Sequence, residues 1–337
     1  MRKEPLVCLA ASGGGHVRQL LDLEPFWHCR PHFLVTEDTA LGRSLADRFD
    51  TSYVPHFALG QARLGAPFLM LRRALASMFS SFRIVSAKRP DLVVTTGAGS
   101  MLFIVLWARL FGAKVVLIDS FARFEGPSAF ARLAGRFSHY RFAQSQAAAR
   151  KWGDAQTVHP LRILDGPAPP KENLLFATVG ATLPFERLTQ WVLAARRDGH
   201  IPDRIVLQSG TGVQSAADGG VDHRDSLPFD EVMQLLSRAR IVVCHGGTGS
   251  ILTALQKHCH VIVIPRSFAR GEHYDNHQWE IAESFAARGL VQVARDYAEF
   301  TAALDRVAER DAIGATTDYS ESADRLDALF PPDASPS

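Results

Sequence analysis

Short apolar runs alternate with helical patterns along most of the chain. Buried-strand patterns at residues 6–10, 91–95 and 241–244 each turn at glycines into a helical pattern. This repeated β-α-β order indicates an α/β fold built on parallel sheets. Residues 165–172 hold three prolines and one glycine, which interrupt both helices and strands, so this tract predicts a linker between two domains.

One of these glycine turns, residues 245–250, reads HGGTGS and is a candidate for binding an anion. The first glycine-lined turn along the chain, residues 12–16, reads SGGGH. The first N–H groups of a helix have no internal partner, and together with the helix dipole they favour an anion such as phosphate. A tight strand-to-helix connection without a ligand is the alternative. The first turn lacks the second half of a dinucleotide fingerprint, so no nicotinamide cofactor is expected.

Two polar residues stand where a general base is expected. His16 lies at the mouth of the first glycine turn, where a neutral imidazole could accept a proton from a hydroxyl group. Asp119 follows a strand pattern at 114–118, at the sheet edge where parallel strands bind ligands. Asp119 could orient His16 or take the proton itself. Capping of the adjacent turn or loop is the alternative role for each residue.

Charge is divided unevenly between the two halves of the chain. Residues 1–170 hold 21 Lys and Arg against 12 Asp and Glu, whereas the remainder holds 16 against 23. The basic half predicts an anionic partner, and a lipid pyrophosphate at a bilayer surface satisfies this without nucleic acid. Arg123, Arg132 and Arg136 lie close together in sequence and suit a pyrophosphate, because a guanidinium can donate two parallel hydrogen bonds. An unremarkable difference between domains is the alternative.

A helical pattern that Pro67 opens, over residues 67–88, has a broad apolar face. This face comprises Phe68, Leu71, Leu75, Met78, Phe79 and Phe82. Residues 51–90 contain six positive charges and no acidic residue, so the helix could lie in a membrane interface with its arginines at anionic headgroups. Packing of the same face on the sheet is the alternative.

The remaining features bear on location and metals. No run of about 18 apolar residues is present to span a bilayer, and the apolar run at 7–11 is interpreted as a first strand and not as a signal peptide. The four cysteines share no metal-like spacing and no Asp-x-Asp pair occurs, so no metal is expected. The protein is therefore expected in the cytoplasm, peripherally associated with the inner membrane.

Two pairs of motifs resemble a known family. HGGTGSILTAL and GEHYDNHQ resemble the donor half of the UDP-sugar-dependent GT-B glycosyltransferases, of the family 28 type. They are most similar to the small subunit of the two-subunit N-acetylglucosamine transferase of dolichol-linked oligosaccharide synthesis, and to its bacterial exopolysaccharide counterparts. LAASGGGHVRQLLDL and LIDSFARFEGPSAFARLAGRF resemble the membrane-associated subunit. The chain thus looks like both subunits fused.

The resemblance implies a GT-B fold, with two Rossmann-like domains whose parallel sheets face a cleft. It implies an acceptor-binding, membrane-associated domain over residues 1–164, the linker at 165–172, and a UDP-sugar-binding domain over 173–317. Residues 318–337 would form a terminal helix and tail.

The implied reaction is a metal-independent, inverting transfer from a UDP-sugar to a polyprenyl-pyrophosphate-linked sugar at the inner leaflet, with His16 or Asp119 as base. The UDP-sugar is a substrate, and no cofactor is implied. The implied donor-binding residues are His245, Gly246, Gly247, Thr248, Gly249, Ser250, Arg266, Arg270, Glu272, His273, Asn276 and Gln278. The implied acceptor-binding residues are Gly14, Gly15, Ser120 and Arg123. One position departs from the pattern: Thr253 stands where the eukaryotic relative has a ribose-binding glutamate.

The donor sugar and the reaction class have alternatives. Bacterial relatives transfer glucuronate or galactose in β-1,4 linkage, and Arg266, Arg270 and His273 could pair with a uronate carboxylate, which favours UDP-glucuronate. A UDP-sugar epimerase of the same fold and a non-catalytic, membrane-bound scaffold that binds UDP-sugars are the competing functions.

Overall fold

The computed structural model describes residues 4–56, 67–121, 123–180, 184–210, 220–273 and 276–331. The chain folds into two compact units. The first comprises Met1–Pro160 and Asp318–Ser337, and the second is Leu161–Thr317.

The first unit is built on a parallel sheet of seven strands, in the order β3-β2-β1-β4-β5-β6-β7. The strands are β1 (Val7–Ala11), β2 (His32–Glu37), β3 (Thr51–Val54), β4 (Leu92–Gly97), β5 (Lys114–Ile118), β6 (Tyr140–Ala143) and β7 (Gln156–Thr157). The helices among the described residues up to 160 are α1 (Gly15–Leu21), α2 (Glu24–Trp27), α3 (Ala40–Ser44), α4 (Pro67–Lys88), α5 (Leu102–Leu110), α6 (Ala129–Ala134) and α7 (Gln146–Trp152), with short 3-10 turns at Gly99–Met101 and Gly135–Phe137.

The central strands of this sheet are buried on both faces. All five residues of β1 and all six of β4 are buried, so neither strand shows the polar alternation of a half-exposed sheet. Cys8 and Ala10 share one apolar cluster with Val93, Val115 and Leu117 of the neighbouring strands. The polar side chains are therefore concentrated at the strand ends and in the connecting turns.

The second unit has a parallel sheet of six strands, in the order β11-β10-β9-β12-β13-β14, and a two-stranded antiparallel ribbon. The strands are β8 (Leu161–Ile163), β9 (Glu172–Thr178), β10 (Arg204–Gln208), β11 (Val221–Arg224), β12 (Ala239–Cys244), β13 (His260–Val263), β14 (Gln292–Val293) and β15 (Ala315–Thr317). The helices within the described part are α8 (Glu186–Arg197), α9 (Phe229–Arg238), α10 (Thr248–Gln256), α11 (His277–Ala286) and α12 (Tyr297–Arg306), with 3-10 turns at Phe268–Arg270 and Val307–Glu309. Two α/β sheets of this kind confirm the predicted pair of Rossmann-like domains.

The last helix, α13 (Ser320–Leu329), belongs to the first unit. Arg30 donates to the carbonyl oxygen of Phe330 at 2.7 Å and pairs with Asp327 at 2.8 Å. Arg325 donates to the carbonyl oxygen of Thr157 at 3.0 Å, which ties the helix to β7.

The unit boundary differs from the predicted end of the first domain at residue 164. The first unit stops at Pro160 because β8 pairs with β15, a strand about 150 residues further along the chain. The predicted linker, 165–172, reaches the first residue of β9. Among the described residues, no helix is both long and apolar enough to cross a membrane.

Candidate functional site

The first candidate centre lies at the carboxyl ends of β1 and β4, where two glycine turns are hydrogen-bonded to each other. His16, in α1, donates from Nδ1 to the carbonyl oxygen of Thr96 at 2.7 Å. The hydroxyl of Thr96 donates back to the carbonyl oxygen of His16 at 2.8 Å. Because a carbonyl oxygen can only accept, the neutral imidazole has its proton on Nδ1 and its lone pair on Nε2. His16 therefore has the tautomer and the fixed orientation that a general base requires.

The second turn, residues 96–100, is absent from the predicted site residues. The N–H of Ser12 donates to the carbonyl oxygen of Gly97 at 2.6 Å, and the N–H of Ala98 donates to Ser12 Oγ at 2.9 Å. A Cβ at Gly97, where φ is 98°, would lie 2.9 Å from the Phe130 ring. Glycine is therefore required there. The sequence signal for this turn is TGAGS, which follows its strand as SGGGH follows β1.

Asp119, the other predicted base, is 1% exposed and organises the loop that follows β5. Its carboxylate accepts hydrogen bonds from the N–H of Ser120 at 2.8 Å, the N–H of Ser128 at 3.0 Å and the hydroxyl of Ser128 at 2.8 Å. Burial raises the pKa of Asp119. Its own carbonyl oxygen accepts from the side-chain amides of Gln19 and Gln144. This arrangement supports the alternative role, that of a loop cap.

The residues predicted to bind an acceptor lie on the same turns and loop. Gly14, with φ of 70°, precedes α1, and both Gly14 and Gly15 are exposed. The carbonyl oxygen of Ser120 accepts from the N–H of Arg123 at 2.9 Å, so both residues belong to the loop that Asp119 holds. Contact of these four residues with an acceptor stays a prediction.

The second candidate centre is the turn between β12 and α10. The N–H of Gly246 donates to Gln278 Oε1 at 3.1 Å, so it is already used within the protein. A Cβ at Gly246 would lie 2.7 Å from the Gln278 Cβ, which requires glycine there. No side chain among the described residues caps α10 at Gly247. The N–H groups that helix geometry leaves without an internal acceptor are those of Gly247, Thr248, Gly249 and Ser250. Anion binding by these groups stays a prediction.

The His245 ring is packed between two glycines. A Cβ at Gly180 would lie 2.5 Å from the ring, and a Cβ at Gly247 would lie 2.3 Å from it. Burial, and then the nearby charge of Arg266, lower the pKa of His245 to about 3, although a hydrogen bond to the Thr178 carbonyl acts in the opposite direction. His245 is therefore neutral and would add no positive charge to an anion bound at this turn.

Three side-chain oxygens of residues predicted to contact the donor accept hydrogen bonds from three consecutive backbone N–H groups after β13. The pairs are Gln278 with Arg266 at 3.1 Å, Glu272 with Ser267 at 2.8 Å, and Asn276 with Phe268 at 2.9 Å. These residues fix the loop next to the glycine turn. The oxygens of Gln278, Glu272 and Asn276 thus have a structural role in addition to any contact with a sugar.

Arg266 does not match its predicted role as a partner of a uronate carboxylate. The residue is 2% exposed, and its guanidinium donates to the carbonyl oxygens of Pro184 at 2.7 Å and Val179 at 2.9 Å. The guanidinium also lies 4.5 Å from the centre of the Phe185 ring. Burial lowers the pKa of Arg266 to about 10. Arg266 therefore has a structural role in the interior of the unit, where its guanidinium connects separate backbone segments.

The other predicted donor residues are nearer the surface. Arg270 is exposed, while Glu272 forms a bidentate pair with Arg187, with both N–O distances 2.8 Å. Arg187 is absent from the predicted residues, because nothing in its sequence context indicates a partner 85 residues away. The rings of His273 and His277 meet edge to face at 4.6 Å.

Thr253, at the position that departs from the family pattern, donates to the carbonyl oxygen of Gly249 at 2.7 Å. Its hydroxyl is therefore bound within its own helix.

Helix α4 has five large apolar residues on the outside, whereas Val85 of the same helix is buried in the core of the unit. The exposed fractions of Phe68 and Phe79 are 87% and 63%, while Ser77 and Ser81 on the opposite face are fully buried. The outward stripe comprises Phe68, Leu71, Leu75, Phe79 and Phe82. An exposed stripe of this kind is not expected for a helix that packs all of its large apolar residues on a sheet. The surface continues to the exposed Phe111, whose ring lies 6.1 Å from that of Phe82.

Sequence comparison connects the second unit to a known family. Residues 174–323 match the glycosyltransferase family 28 C-terminal domain. The chain is 30% identical over 132 residues to the UDP-N-acetylglucosamine transferase subunit ALG13 of Yarrowia lipolytica, a match that covers 36% of this chain and 65% of that relative. The chain is 27% identical over 301 residues to the UDP-N-acetylglucosamine–N-acetylmuramyl-(pentapeptide) pyrophosphoryl-undecaprenol N-acetylglucosamine transferase of Synechococcus, covering 80% of this chain and 79% of that one.

Structural comparison extends the similarity to the whole chain. MurG of Acinetobacter baumannii superposes with a TM-score of 0.60 at 16% identity, covering 97% of this chain and 99% of that one. The UDP-GlcNAc 2-epimerase of Methanocaldococcus jannaschii has a TM-score of 0.59 at 9% identity, with 96% and 99% coverage. At these identities the likeness concerns the fold alone. Residues 174–323 thus match the glycosyltransferase family 28 C-terminal domain, within a chain that has the GT-B fold.

Proposed function

We propose that this protein transfers a sugar from a UDP-sugar to a polyprenyl-pyrophosphate-linked sugar at a membrane surface, in the assembly of an exopolysaccharide repeat unit. The observation that carries the proposal is the uncapped amino end of α10, within a domain that matches a glycosyltransferase family. Support for a lipid-linked acceptor comes from the name of the Synechococcus relative, which acts on a pyrophosphoryl-undecaprenol substrate.

In the donor half, the N–H groups of Thr248, Gly249 and Ser250 would hold the diphosphate. The positive end of the helix dipole would stabilise the negative charge that develops on the leaving UDP. This arrangement does not depend on a divalent cation. The loop after β13, held by Gln278, Glu272 and Asn276, would form the adjoining wall for the sugar.

In the acceptor half, His16 is the proposed base. Nε2 would take the proton of the acceptor hydroxyl. At the same time the hydroxyl oxygen would form a bond to the anomeric carbon of the donor sugar, and the bond from that carbon to UDP would break. A single displacement of this kind inverts the anomeric configuration. His16 is favoured over Asp119 because the Asp119 carboxylate is buried and accepts three hydrogen bonds within its own loop.

The outward face of α4 is the proposed contact with the inner leaflet. Its large apolar side chains are exposed, and Arg72 and Arg83, also exposed, border the same stripe. An interfacial helix inserts its apolar side chains among the acyl chains and places its arginines at the anionic headgroups. A lipid surface therefore satisfies both the apolar and the charged parts of this face.

Two donor sugars are candidates. The expectation of UDP-glucuronate depended on three basic residues, and with Arg266 held inside the unit it now depends on Arg270 and His273. The names of both relatives favour UDP-N-acetylglucosamine. Arg270→Ala separates the two donors, because loss of a carboxylate partner should lower turnover of UDP-glucuronate much more than turnover of UDP-N-acetylglucosamine. Equal losses with both donors would count against glucuronate.

The test of the proposed function is product formation. Purified protein would be incubated with each radiolabelled UDP-sugar and a short polyprenyl-pyrophosphoryl-glucose, and the lipid product would be analysed. We expect transfer of label to the lipid. Conversion of the UDP-sugar without an acceptor would instead identify an epimerase, and binding of UDP without any turnover would identify a scaffold.

A further inference from the structure

Glu37, the last residue of β2, is a buried carboxylate that none of the predicted roles includes. It is 6% exposed and lies at the carboxyl edge of the first sheet, on the strand next to β1. Burial of a carboxylate is costly unless hydrogen bonds and an opposite charge compensate for it. The partners of Glu37 therefore indicate why the residue is there.

The Glu37 carboxylate has partners on three separate segments. Its Oε1 accepts from the hydroxyl of Ser100 at 2.7 Å and pairs with His56 Nδ1 at 2.9 Å. Its Oε2 lies beside the backbone of Gly13: a Cβ built at Gly13 would be 3.9 Å from Oε2, and the Gly13 N–H helps to lower the pKa of Glu37. Gly13 belongs to the first glycine turn, Ser100 to the second, and His56 follows β3. One side chain thus connects both turns of the proposed acceptor half.

The charge state of Glu37 agrees with this connecting role. Burial acts to raise the pKa of Glu37, but the hydrogen bond and charge of His56, with the bonds from Ser100 and Gly13, outweigh it and leave the pKa lowered. The hydrogen bond to Glu37 is the main cause that raises the pKa of His56. Glu37 is therefore an ionised acceptor at neutral pH, able to receive several donors at once.

We propose that Glu37 is a positioning residue, which holds the two glycine turns at a fixed spacing beside His16. The inference rests on the proposed function only where it concerns catalysis, because the bracing of the turns is a property of the fold. A carboxylate is needed because the side-chain amide of Gln has a single acceptor oxygen. Its NH₂ group would face a donor and leave at least one of the three without a partner.

The bracing is measured by hydrogen exchange of the intact protein without substrate. In Glu37→Gln, we expect faster amide exchange in peptides that cover residues 12–16 and 96–101. The matched control is Asp203→Asn, which removes a buried carboxylate of the second unit that is 5% exposed and pairs with Arg240 at 3.0 Å. The control should leave both turns unchanged. Unchanged exchange in either turn of a folded Glu37→Gln protein overturns the proposal.

A milder variant keeps the test valid if Glu37→Gln does not fold. Ser100→Ala removes one of the three donors, so exchange should rise in residues 96–101 and remain nearly constant in 12–16. If Glu37 acts through Ser100, the double variant should exchange no faster at 96–101 than Glu37→Gln alone. Additive effects of the two substitutions there would contradict the connection.

In catalysis, we expect Glu37→Gln to lower kcat without changing the KM for the donor. Displacement of the turns by about 1 Å should lower kcat on the order of 100-fold. The KM for the UDP-sugar should be unchanged because that site lies in the other unit. A rise in the donor KM with constant kcat would refute the positioning role. If the wild-type protein shows no transfer but the exchange result holds, the proposed function fails while the bracing by Glu37 stands.

Discussion

His16 and Thr96 are joined by two hydrogen bonds of opposite direction, from the imidazole Nδ1 to the Thr96 carbonyl oxygen and from the Thr96 hydroxyl to the His16 carbonyl oxygen. The pair fixes both the orientation and the tautomer of the ring. Because the two residues stand 80 positions apart and on different glycine turns, the pair also couples the position of the ring to the end of β4.

Replacement of His16 tests the proposed base. His16→Ala should lower kcat by about 10²–10⁴-fold, the usual contribution of a general base, while UDP affinity stays the same. Steady-state kinetics and calorimetric titration with UDP measure the two effects. Thr96→Val is the matched control, since it keeps the carbonyl that orients Nδ1 and should cost much less. Wild-type turnover in His16→Ala would exclude this residue as the base.

Asp119→Asn distinguishes a loop cap from a base. The asparagine NH₂ group would face N–H or O–H donors of Ser120 and Ser128, so we expect a loss of about 1–3 kcal/mol in the free energy of unfolding. Urea denaturation measures this loss. The remaining folded protein should retain more activity than His16→Ala. A fully stable Asp119→Asn protein with kcat reduced more than 100-fold would reverse the assignment of the two residues.

Gly249 tests the proposed diphosphate site directly. Nothing lies within 4 Å of a Cβ built at this position, so larger side chains can be introduced without disturbing the fold. Such a side chain would cover the amino end of α10, so Gly249→Leu should weaken UDP binding by tenfold or more, and Gly249→Ala should weaken it less. Calorimetry measures both affinities, and the melting temperatures provide the control. Full UDP affinity in Gly249→Leu would place the nucleotide elsewhere.

The outward face of α4 is tested by binding to vesicles. The double variant Phe68→Asp, Phe79→Asp should no longer float with phosphatidylglycerol vesicles. Membrane contact would require the two introduced aspartates to place negative charges in the acyl region. Both positions are exposed, so the melting temperature should not fall. Arg72→Gln with Arg83→Gln should reduce binding mainly at low salt. Flotation of the double aspartate variant at the wild-type level would contradict the membrane contact.

The strands were predictable because local patterns determine them. Thr51–Val54, Lys114–Ile118 and Arg204–Gln208 begin and end where apolar runs meet glycine, proline or charge. The ribbon of β8 and β15 has no such pattern, since each strand has three residues and its partner lies far along the chain. Pairing over that distance leaves no periodic signal in either segment.

The sequence predicts which residues lie near the candidate site, but it does not always predict what their side chains bind. The sequence places Gln278, Glu272 and Arg266 beside the donor turn, and the structure brings them together there. Apart from the Arg187 side chain, their partners named above are backbone groups, which have the same identity in every residue and therefore leave no trace in the sequence. For this reason Arg266 was predicted as a ligand contact, although its guanidinium is satisfied by carbonyl oxygens of the interior.

Because α13 packs in the first unit, the protein cannot be cut at the predicted linker into two independent domains. A break in the tract 165–172 would leave α13 on the second polypeptide, although its partners Arg30 and Thr157 are on the first. The two fragments should therefore copurify when they are produced together. A version that separates into independent halves would need the last helix transplanted onto the end of the first fragment.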